Sequence, residues 1–388
     1  MTINKKRSVQ FRREGLRSYG PLAALLLVAS SGGAMAGKDI VLQKSGGFII
    51  GGKHFNVPPA SGPINPNRTL SCDHGYVEYF IPKKPRKTSI VLWHSSSAQV
   101  WQNRFDGGEG YKDKMLRNDY PTYIWDGPRV GRANWSCETI TYTPSNRDQG
   151  NFTAWKFGPA QPVGQVPTKA EFYNPTQFPV DSPNMEQYWW DATGARYDEF
   201  DNAYNIELET DAAAVAADSG RLGNQIVYLT NSAGGLRAAK TTAKTTKNNI
   251  AGIITYESIG YLFPIGDPES PTLCTALTPA CAFGPLGVPL EDFKKLAKLK
   301  KIQFVWGDNR PETEQQVILS RLSAKLINKY GGNAEVVKLG DLAGFKGATH
   351  IPFMDMSNDK LAELLFQVFK KNKLDEYAKK EKAAPSRR

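Results

Sequence analysis

Residues 225–235 read QIVYLTNSAGG and carry the strongest signal in this chain. The apolar, β-branched run at the start of the segment predicts a buried strand. Ser232 follows it between small residues, and a stretch compatible with a helix covers residues 236–247. A strand that turns sharply into a helix around a serine exposes the hydroxyl, so we predict that Ser232 is a nucleophile. Thr230 replaces the first glycine of the usual G-x-S-x-G pattern, while Gly234 keeps the second.

An ordinary strand-to-helix turn with an incidental serine is the alternative, so the context of the segment matters. We predict an opening antiparallel pair of strands and then six buried strands, most of them separated by helices. The strands are expected at residues 47–57, 75–81, 88–93, 120–125, 225–229, 250–256, 301–306 and 334–339. The helices are expected at residues 110–118, 200–217, 236–247, 312–330 and 357–377. This alternation predicts a mostly parallel sheet covered by helices on both faces.

Two long stretches interrupt the alternation. Residues 134–199 are rich in Pro, Asn, Tyr and Trp and show little helix or strand periodicity, and residues 260–289 are dense in Pro, Gly and small side chains. Both follow the carboxyl ends of strands, where parallel α/β sheets bind ligands. We predict that they are cap-like insertions that form a lid or a pocket wall. The alternative is that they only cover the sheet edges.

The N-terminal 36 residues have the features of a secretory signal peptide. Six basic residues precede a short apolar run at residues 21–29, and Ala34-Met35-Ala36 is a small-x-small cleavage site. The apolar run is too short to span a bilayer, and no other segment approaches that length. We therefore expect export to the periplasm or the medium. The predicted mature domain covers residues 37–378, followed by a basic tail at residues 379–388.

The formal net charge of +11 is concentrated at the two ends of the chain. Residues 1–36 contribute +5 and residues 370–388 another +5, so the body of the protein is close to neutral. Nucleic acid is therefore not expected as a partner. We interpret the basic tail as a solvated terminus, with contact to an anionic surface polymer as the alternative.

Four cysteines remain after the predicted leader. An even number of cysteines in an oxidising compartment favours two disulfides. Cys274 and Cys281 close a short loop and are the natural pair, which leaves Cys72 with Cys137. The cysteine spacing matches no metal-ligand pattern, and the chain has four histidines in all. We therefore expect no metal site and no cofactor.

A serine hydroxyl is a weak nucleophile unless a base accepts its proton and a third group orients that base. We predict His350 as the base, because it lies beyond the last strand and follows Ser232 in chain order. The acid has two candidates, each after a neighbouring strand. Glu257 is preferred, because an acidic residue that ends a buried strand needs a partner. Asp308 is the alternative acid, although a pair with Arg310 or a turn cap explains it equally well.

An acyl-transfer site also needs hydrogen-bond donors for the developing oxyanion. The backbone N–H of Ala233, directly after the nucleophile, is the first predicted donor. The second is expected from the loop after Trp93, which reads HSSS over residues 94–97. We assign this donor to Ser96, with Ser95 as the neighbour that would serve instead.

Taken together, these motifs resemble those of the secreted bacterial esterases of the α/β-hydrolase superfamily whose triad acid is a glutamate after the sixth strand. The resemblance covers about residues 47–369. Beyond the serine segment, DGGEGY at 106–111 is similar to the group's DGxEGW segment, YIWDGPRVGR at 123–132 to its D-x-P-x-x-G-R segment, and WGDN at 306–309 to its G-D-N segment. Two further stretches are similar to the group: LWH at 92–94, which precedes the oxyanion loop, and ATH at 348–350, which contains the histidine.

The resemblance implies an α/β-hydrolase fold with a central sheet of about eight strands. It also implies a Ser-His-Glu triad, formed here by Ser232, His350 and Glu257, and hydrolysis of a small-molecule carboxylic ester through an acyl-enzyme. A lactonase or amidase on the same fold, or a binding protein that uses this fold without catalysis, are the alternatives. The chain departs from the group at Ser95, Thr230 and Ser258, positions that bear on the shape of the pocket more than on the triad.

Overall fold

A computed structural model describes residues 39–56, 67–94, 98–141, 146–193, 202–274 and 281–378. The predicted signal peptide, the basic tail and the loop residues Ser95 and Ser96 lie outside these ranges. The strands within them are β1 Leu42–Ile50, β2 Lys53–Asn56, β3 Thr69–Cys72, β4 Gly75–Pro82, β5 Ser89–Trp93, β6 Thr122–Asp126, β7 Ile226–Asn231, β8 Ile250–Tyr256, β9 Leu262–Pro264, β10 Leu286–Val288, β11 Lys301–Trp306 and β12 Ala334–Lys338. The helices are α1 Tyr111–Arg117, α2 Asp148–Ala154, α3 Met185–Thr193, α4 Ala203–Asp218, α5 Gly234–Lys244, α6 Leu290–Ala297, α7 Gln315–Lys329 and α8 Asn358–Lys371.

Eight of these strands form one sheet in the order β1-β4-β6-β5-β7-β8-β11-β12. The neighbours from β6 to β12 are parallel, and β4 is antiparallel to both β1 and β6. The predicted sheet of about eight mostly parallel strands is therefore confirmed. The chain adds β6 on one side of β5 and β7 on the other. This reversal opens a crevice at the carboxyl ends of β5 and β7, the usual ligand-binding position in such sheets.

The first predicted strand, at residues 47–57, differs from the observed structure. β1 begins at Leu42 and ends at Ile50, because Gly51 and Gly52 adopt φ values of 71° and 85° that end the extended conformation. The chain after them forms β2, which pairs with β3 in a separate two-stranded sheet. The predicted antiparallel pairing of the opening strands still holds, between β1 and β4.

Successive side chains of the central strands enter two different apolar layers, as the period of a strand requires. Val91 and Trp93 of β5 pack in a layer with residues from α4, α5, α6 and α7. Ile90 and Leu92 of the same strand enter the opposite layer, which contains residues from α1 and α8. The sheet is thus covered by helices on both faces, which explains why its strands read as continuous apolar runs.

The first insertion, at residues 134–199, is more regular than its sequence indicates. It contains α2 and α3, whereas we predicted little secondary structure there. Its aromatic residues form a cluster in which the Phe157 ring lies 4.8 Å from Trp189 and 5.1 Å from Phe178 between centroids. This cluster extends the apolar layer beneath α1 and α8. Contacts between aromatic rings, which no periodicity reports, therefore hold the insertion together.

Two disulfides join the predicted pairs, Cys72 with Cys137 and Cys274 with Cys281. The first ties the end of β3 to the segment beyond β6, across a sequence separation of 65. A buried salt bridge lies next to it, in which Nε of Arg129 is 2.8 Å from the Asp73 carboxylate. The second closes a loop with a separation of 7 beside the short parallel pair of β9 and β10.

None of the helices in the described ranges is long and apolar enough to cross a membrane.

We predict that the two disulfides differ in their effect on stability. Because a longer closed loop constrains the unfolded chain more, replacing Cys72 and Cys137 by serine should cost about 4 kcal/mol of unfolding free energy. The same change at Cys274 and Cys281, the matched control, should cost about 2 kcal/mol. Urea unfolding of the two double variants measures both values. Equal losses would contradict the prediction.

Candidate active site

The serine segment forms the predicted sharp turn between β7 and α5. Ser232 has a φ of 54°, the left-handed region that a residue with a side chain rarely adopts. Small neighbours make the turn sterically possible. A Cβ atom on Gly234 would lie 2.9 Å from the Trp93 carbonyl oxygen, and one on Gly235 would lie 2.1 Å from Oγ of Ser258. The Ser232 side chain is partly exposed at the tip of the turn, whereas Thr230 is buried in the strand below.

The structure brings Glu257 and His350 together. The Glu257 Oε2 atom lies 3.2 Å from Nδ1 of His350, and both side chains are almost completely buried. Glu257 also has a left-handed backbone, with a φ of 52°. Its other carboxylate oxygen accepts a 2.5 Å hydrogen bond from the N–H of Gly307. A carboxylate bound at both oxygens has a fixed orientation, so it fixes the imidazole as well.

Asp308 lies near the Glu257–His350 pair and has different hydrogen-bond partners. Its N–H donates to the Ala348 carbonyl oxygen at 2.8 Å, and its Oδ2 accepts from the Gly347 N–H at 2.8 Å. Its Oδ1 atom lies 3.8 Å from Nζ of Lys346. Asp308 therefore holds the backbone of the loop that carries the histidine. Of the two acids considered from the sequence, Glu257 is the one whose carboxylate contacts the imidazole.

Asn231, which sequence reasoning missed, links the serine turn to the histidine loop. Its Nδ2 donates to the carbonyl oxygens of Tyr256 and His350, at 3.1 Å and 3.0 Å. The N–H of Ser232 donates to the same Tyr256 oxygen at 3.0 Å. Within the described residues, the Ser232 hydroxyl makes no hydrogen bond to the imidazole. Catalytic hydrogen bonds are often long before substrate binds and tighten in the complex.

Arg310 is a second residue near the imidazole that the sequence did not assign correctly. We considered it as a partner of Asp308, but its Nε donates to Oε2 of Glu257 at 2.6 Å. Its Nη2 lies 3.4 Å from Nδ1 of His350. The guanidinium side chain is only 9% exposed. A cation whose side chain is mostly shielded from solvent therefore contacts the carboxylate–imidazole pair directly.

The first insertion forms part of the wall around His350. The ring of Trp155 stacks on the imidazole, with 5.5 Å between centroids and 17° between planes. The Trp155 carbonyl oxygen accepts a 3.0 Å hydrogen bond from the His350 N–H. Gln177 also binds the histidine loop, through the carbonyl oxygens of Gly347 and Lys346. The insertion thus does more than cover an edge of the sheet.

Burial and nearby charges together lower the pKa values of both Glu257 and His350. Burial alone would raise the pKa of Glu257, but the Arg310 charge and the hydrogen bonds from His350 and Gly307 bring it below its usual value. Burial lowers the pKa of His350, and Arg310 lowers it further, although Glu257 opposes this. Near neutral pH the pair is therefore a carboxylate next to a neutral imidazole.

The structure describes one of the two predicted oxyanion donors, Ala233. Ala233 directly precedes α5, with N-terminal helical geometry, and its N–H donates no hydrogen bond to any of the described residues. Ser96 and its neighbour Ser95 lie outside the described residues. Among the residues that the structure describes, no group of three or more His, Cys, Asp or Glu side chains is placed to hold a metal ion.

The chain is similar in structure to known proteins, although its sequence is not. No protein-family model matches it, and no curated protein is significantly similar. A solved bacterial esterase has a TM-score of 0.65 and 20% identity, over 86% of this chain and 98% of that one. Bromoperoxidase from Bacillus anthracis has a TM-score of 0.40 and 10% identity, over 78% of this chain and 96% of that one. An esterase from Pyrococcus furiosus has a TM-score of 0.39 and 10% identity, over 84% of this chain and 90% of that one.

The scores of the last two structures are too low to support an inference. The strand order and the similarity to the bacterial esterase show that this chain has the α/β-hydrolase fold. Nearly the whole length of that esterase is matched, so the similarity of fold extends over most of both chains.

We predict that the pKa of His350 lies below 6.5 and depends on Glu257 but not on Asp308. Replacing Glu257 by glutamine removes the negative charge that stabilises the imidazolium, so the pKa should fall further. The Asp308→Asn variant, the matched control, should change it little. NMR titration of the imidazole nitrogens measures all three values. A larger change in the Asp308 variant would contradict the assignment of the orienting acid.

Proposed function

We propose that this protein is a serine hydrolase that cleaves small-molecule carboxylic esters. The observation that carries the proposal is the bond between Glu257 and Nδ1 of His350, formed beside the left-handed turn at Ser232. A buried carboxylate that orients a neutral imidazole, next to a serine presented by a strained turn, is the arrangement that activates a hydroxyl for acyl transfer. The fold shared with a bacterial esterase supports the same class of reaction.

In the proposed reaction, Oγ of Ser232 attacks the acyl carbon and its proton passes to Nε2 of His350. Because Nδ1 is directed to Glu257, Nε2 is the nitrogen available to the hydroxyl. The carbon–oxygen bond to the alcohol then breaks, and the imidazolium gives its proton to the departing oxygen. Water, deprotonated by the same imidazole, attacks the acyl-enzyme and releases the acid. Glu257 stays ionised and stabilises the imidazolium in both steps.

The oxyanion formed in each step requires donors that are fixed in advance. The N–H of Ala233 fits this role, because it lies directly after the nucleophile at the start of α5. The partial positive charge at the N-terminus of that helix would add to the effect. We assign the second donor to the backbone N–H of Ser96, which follows β5 in the sequence.

We further propose that the protein acts outside the cytoplasm. The sequence of its first 36 residues has the features of a cleaved leader. Both disulfides support the same assignment, because such bonds persist in oxidising compartments.

Replacing Ser232 by alanine or His350 by asparagine should lower kcat for p-nitrophenyl esters by at least about 1,000-fold. The melting temperature should change little in the Ser232 variant, because that change removes only a partly exposed hydroxyl. His54→Asn is the matched control, since that histidine is exposed and its imidazole bonds to Ser71, away from the candidate site. A fluorophosphonate probe should label the wild type and the control but not the Ser232 variant. Undiminished hydrolysis after loss of Ser232 would refute the assignment.

A panel of esters, lactones and amides separates the proposed esterase from a lactonase or amidase on the same fold.

Trp155 should affect turnover although it takes no part in bond breaking. Its ring supports one face of the imidazole and favours the imidazolium through a cation–π interaction. We expect Trp155→Ala to lower kcat about 10-fold to 100-fold, because small misplacements of a catalytic group are costly. Trp155→Phe should recover most of the loss. Trp190→Ala is the control, since that side chain belongs to the same insertion but is 52% exposed. Equal losses in the two alanine variants would contradict the stacking role.

A further inference from the structure

A mostly buried cation that binds the acid partner of a catalytic histidine opposes the protonation that the histidine must undergo. The reaction needs the imidazole to become positive, and Arg310 places a second positive charge 3.4 Å from its Nδ1 atom. The guanidinium binds Oε2 of Glu257, the same oxygen that binds the imidazole. Such a contact weakens the base. Because the contact is unfavourable for the base, it should have a compensating effect.

We propose that Arg310 is a positioning residue that extends the proposed hydrolysis to lower pH, by keeping Glu257 ionised and His350 unprotonated in mildly acidic solution. This inference rests on the proposed function. Arg310 touches neither the substrate nor the reacting atoms and acts through the pair. Its effect is therefore expected in the pH dependence of the reaction more than in its maximal rate.

The geometry of Arg310 leaves it little freedom to act otherwise. Its Nη1 donates to Glu314 at 2.5 Å, and its Nη2 donates to the Ala154 carbonyl oxygen at 2.8 Å. Glu314 directly precedes α7, and Ala154 is the last residue of α2 in the first insertion. Three separate segments thus hold the guanidinium, including the Glu257 turn. A side chain held in this way keeps its charge at a constant distance from the imidazole.

Other charged or titratable side chains lie near Arg310 and the Glu257–His350 pair. Glu314 faces Arg310 and carries a second contact at 3.5 Å from Nζ of Lys156, so it partly offsets the guanidinium. Asp308 binds the backbone of the histidine loop, and its Oδ1 atom lies 3.8 Å from Nζ of Lys346. Burial raises the pKa of Asp355 to about 8, even though the N–H and hydroxyl of Thr349 donate to its carboxyl group.

Arg310 acts in the same direction on both partners. Its charge lowers the pKa of Glu257, which burial alone would raise, and it lowers the pKa of His350 in addition to burial. Without the charge, both groups would take up protons at higher pH. A protonated imidazole cannot accept the serine proton, and a neutral acid cannot stabilise the imidazolium. Both changes move the acidic limb of the rate profile upward in pH.

The test compares the pH profile of kcat/KM in Arg310→Met, Arg310→Lys and the wild type. In the methionine variant, the apparent pKa of the acidic limb should rise by at least about one unit, which is a tenfold loss of relative activity on that limb. The lysine variant, which keeps the charge, should lie closer to the wild type. A methionine variant whose activity falls by one factor at every pH would overturn the proposal, because that result reports only a structural role.

Glu314→Gln is a matching test in which the acidic limb should shift in the opposite direction. This test remains informative if the methionine variant does not fold. Glu314 raises the pKa of His350, so its removal should move the acidic limb to lower pH. No shift, or a shift upward, would contradict the proposed electrostatic role of this cluster.

Two readouts separate this inference from the proposed function. Failure of a fluorophosphonate probe to label the wild type at Ser232 would refute the serine hydrolase itself. The pKa of His350 measured by NMR in the Ser232→Ala background, with and without Arg310→Met, tests the inference without any turnover. That pKa should rise when the guanidinium is removed. An unchanged value would overturn the role of Arg310, whatever the activity.

Discussion

The parallel pairing of β7, β8 and β11 is the constraint on which the candidate site depends. Asn231 and Tyr256 are register partners at the ends of β7 and β8, so the residues that follow them emerge side by side. Those residues are Ser232 and Glu257, and each turns at once into a left-handed backbone conformation. The Glu257 N–H continues the pairing by donating to Val305 of β11. The proposed nucleophile and the carboxylate thus occupy adjacent positions because the sheet is parallel and in register.

Close backbone packing maintains this arrangement above the sheet. Gly307, the first residue after β11, donates its N–H to Glu257, and a Cβ atom there would lie 2.6 Å from the Thr349 carbonyl oxygen. The histidine loop therefore passes directly over that glycine. Asn231 and Asp308 fix the same loop through hydrogen bonds to its backbone. His350 is held mainly by main-chain contacts, which leaves its imidazole to interact with Glu257 and Trp155.

Much of this could be predicted from the sequence, and the remainder could not for identifiable reasons. Buried strands have continuous apolar runs, and the serine turn and the glutamate follow such runs directly, so their positions could be inferred from the pattern. The DGGEGY and DGPRVGR segments are structural here: Asp106 accepts from Arg104 and Gly108, and Asp126 accepts from Arg132. The contacts of Arg310, Asn231 and Trp155 join segments far apart in the chain. Periodicity is a local property, so it contains no signal for them, and it likewise missed α2 and α3, which aromatic packing stabilises.

The C-terminal end of α2 has a consequence for how this protein could diversify. The carbonyl oxygens of Ala154 and Trp155 bind Arg310 and the His350 backbone, so the first insertion is part of the support of the proposed base. In many scaffolds a specificity region can be exchanged as a module while the reactive groups stay in place. Here a transplanted insertion would have to reproduce one short helix terminus to keep the imidazole in place, so exchanging the insertion would also affect the proposed chemistry.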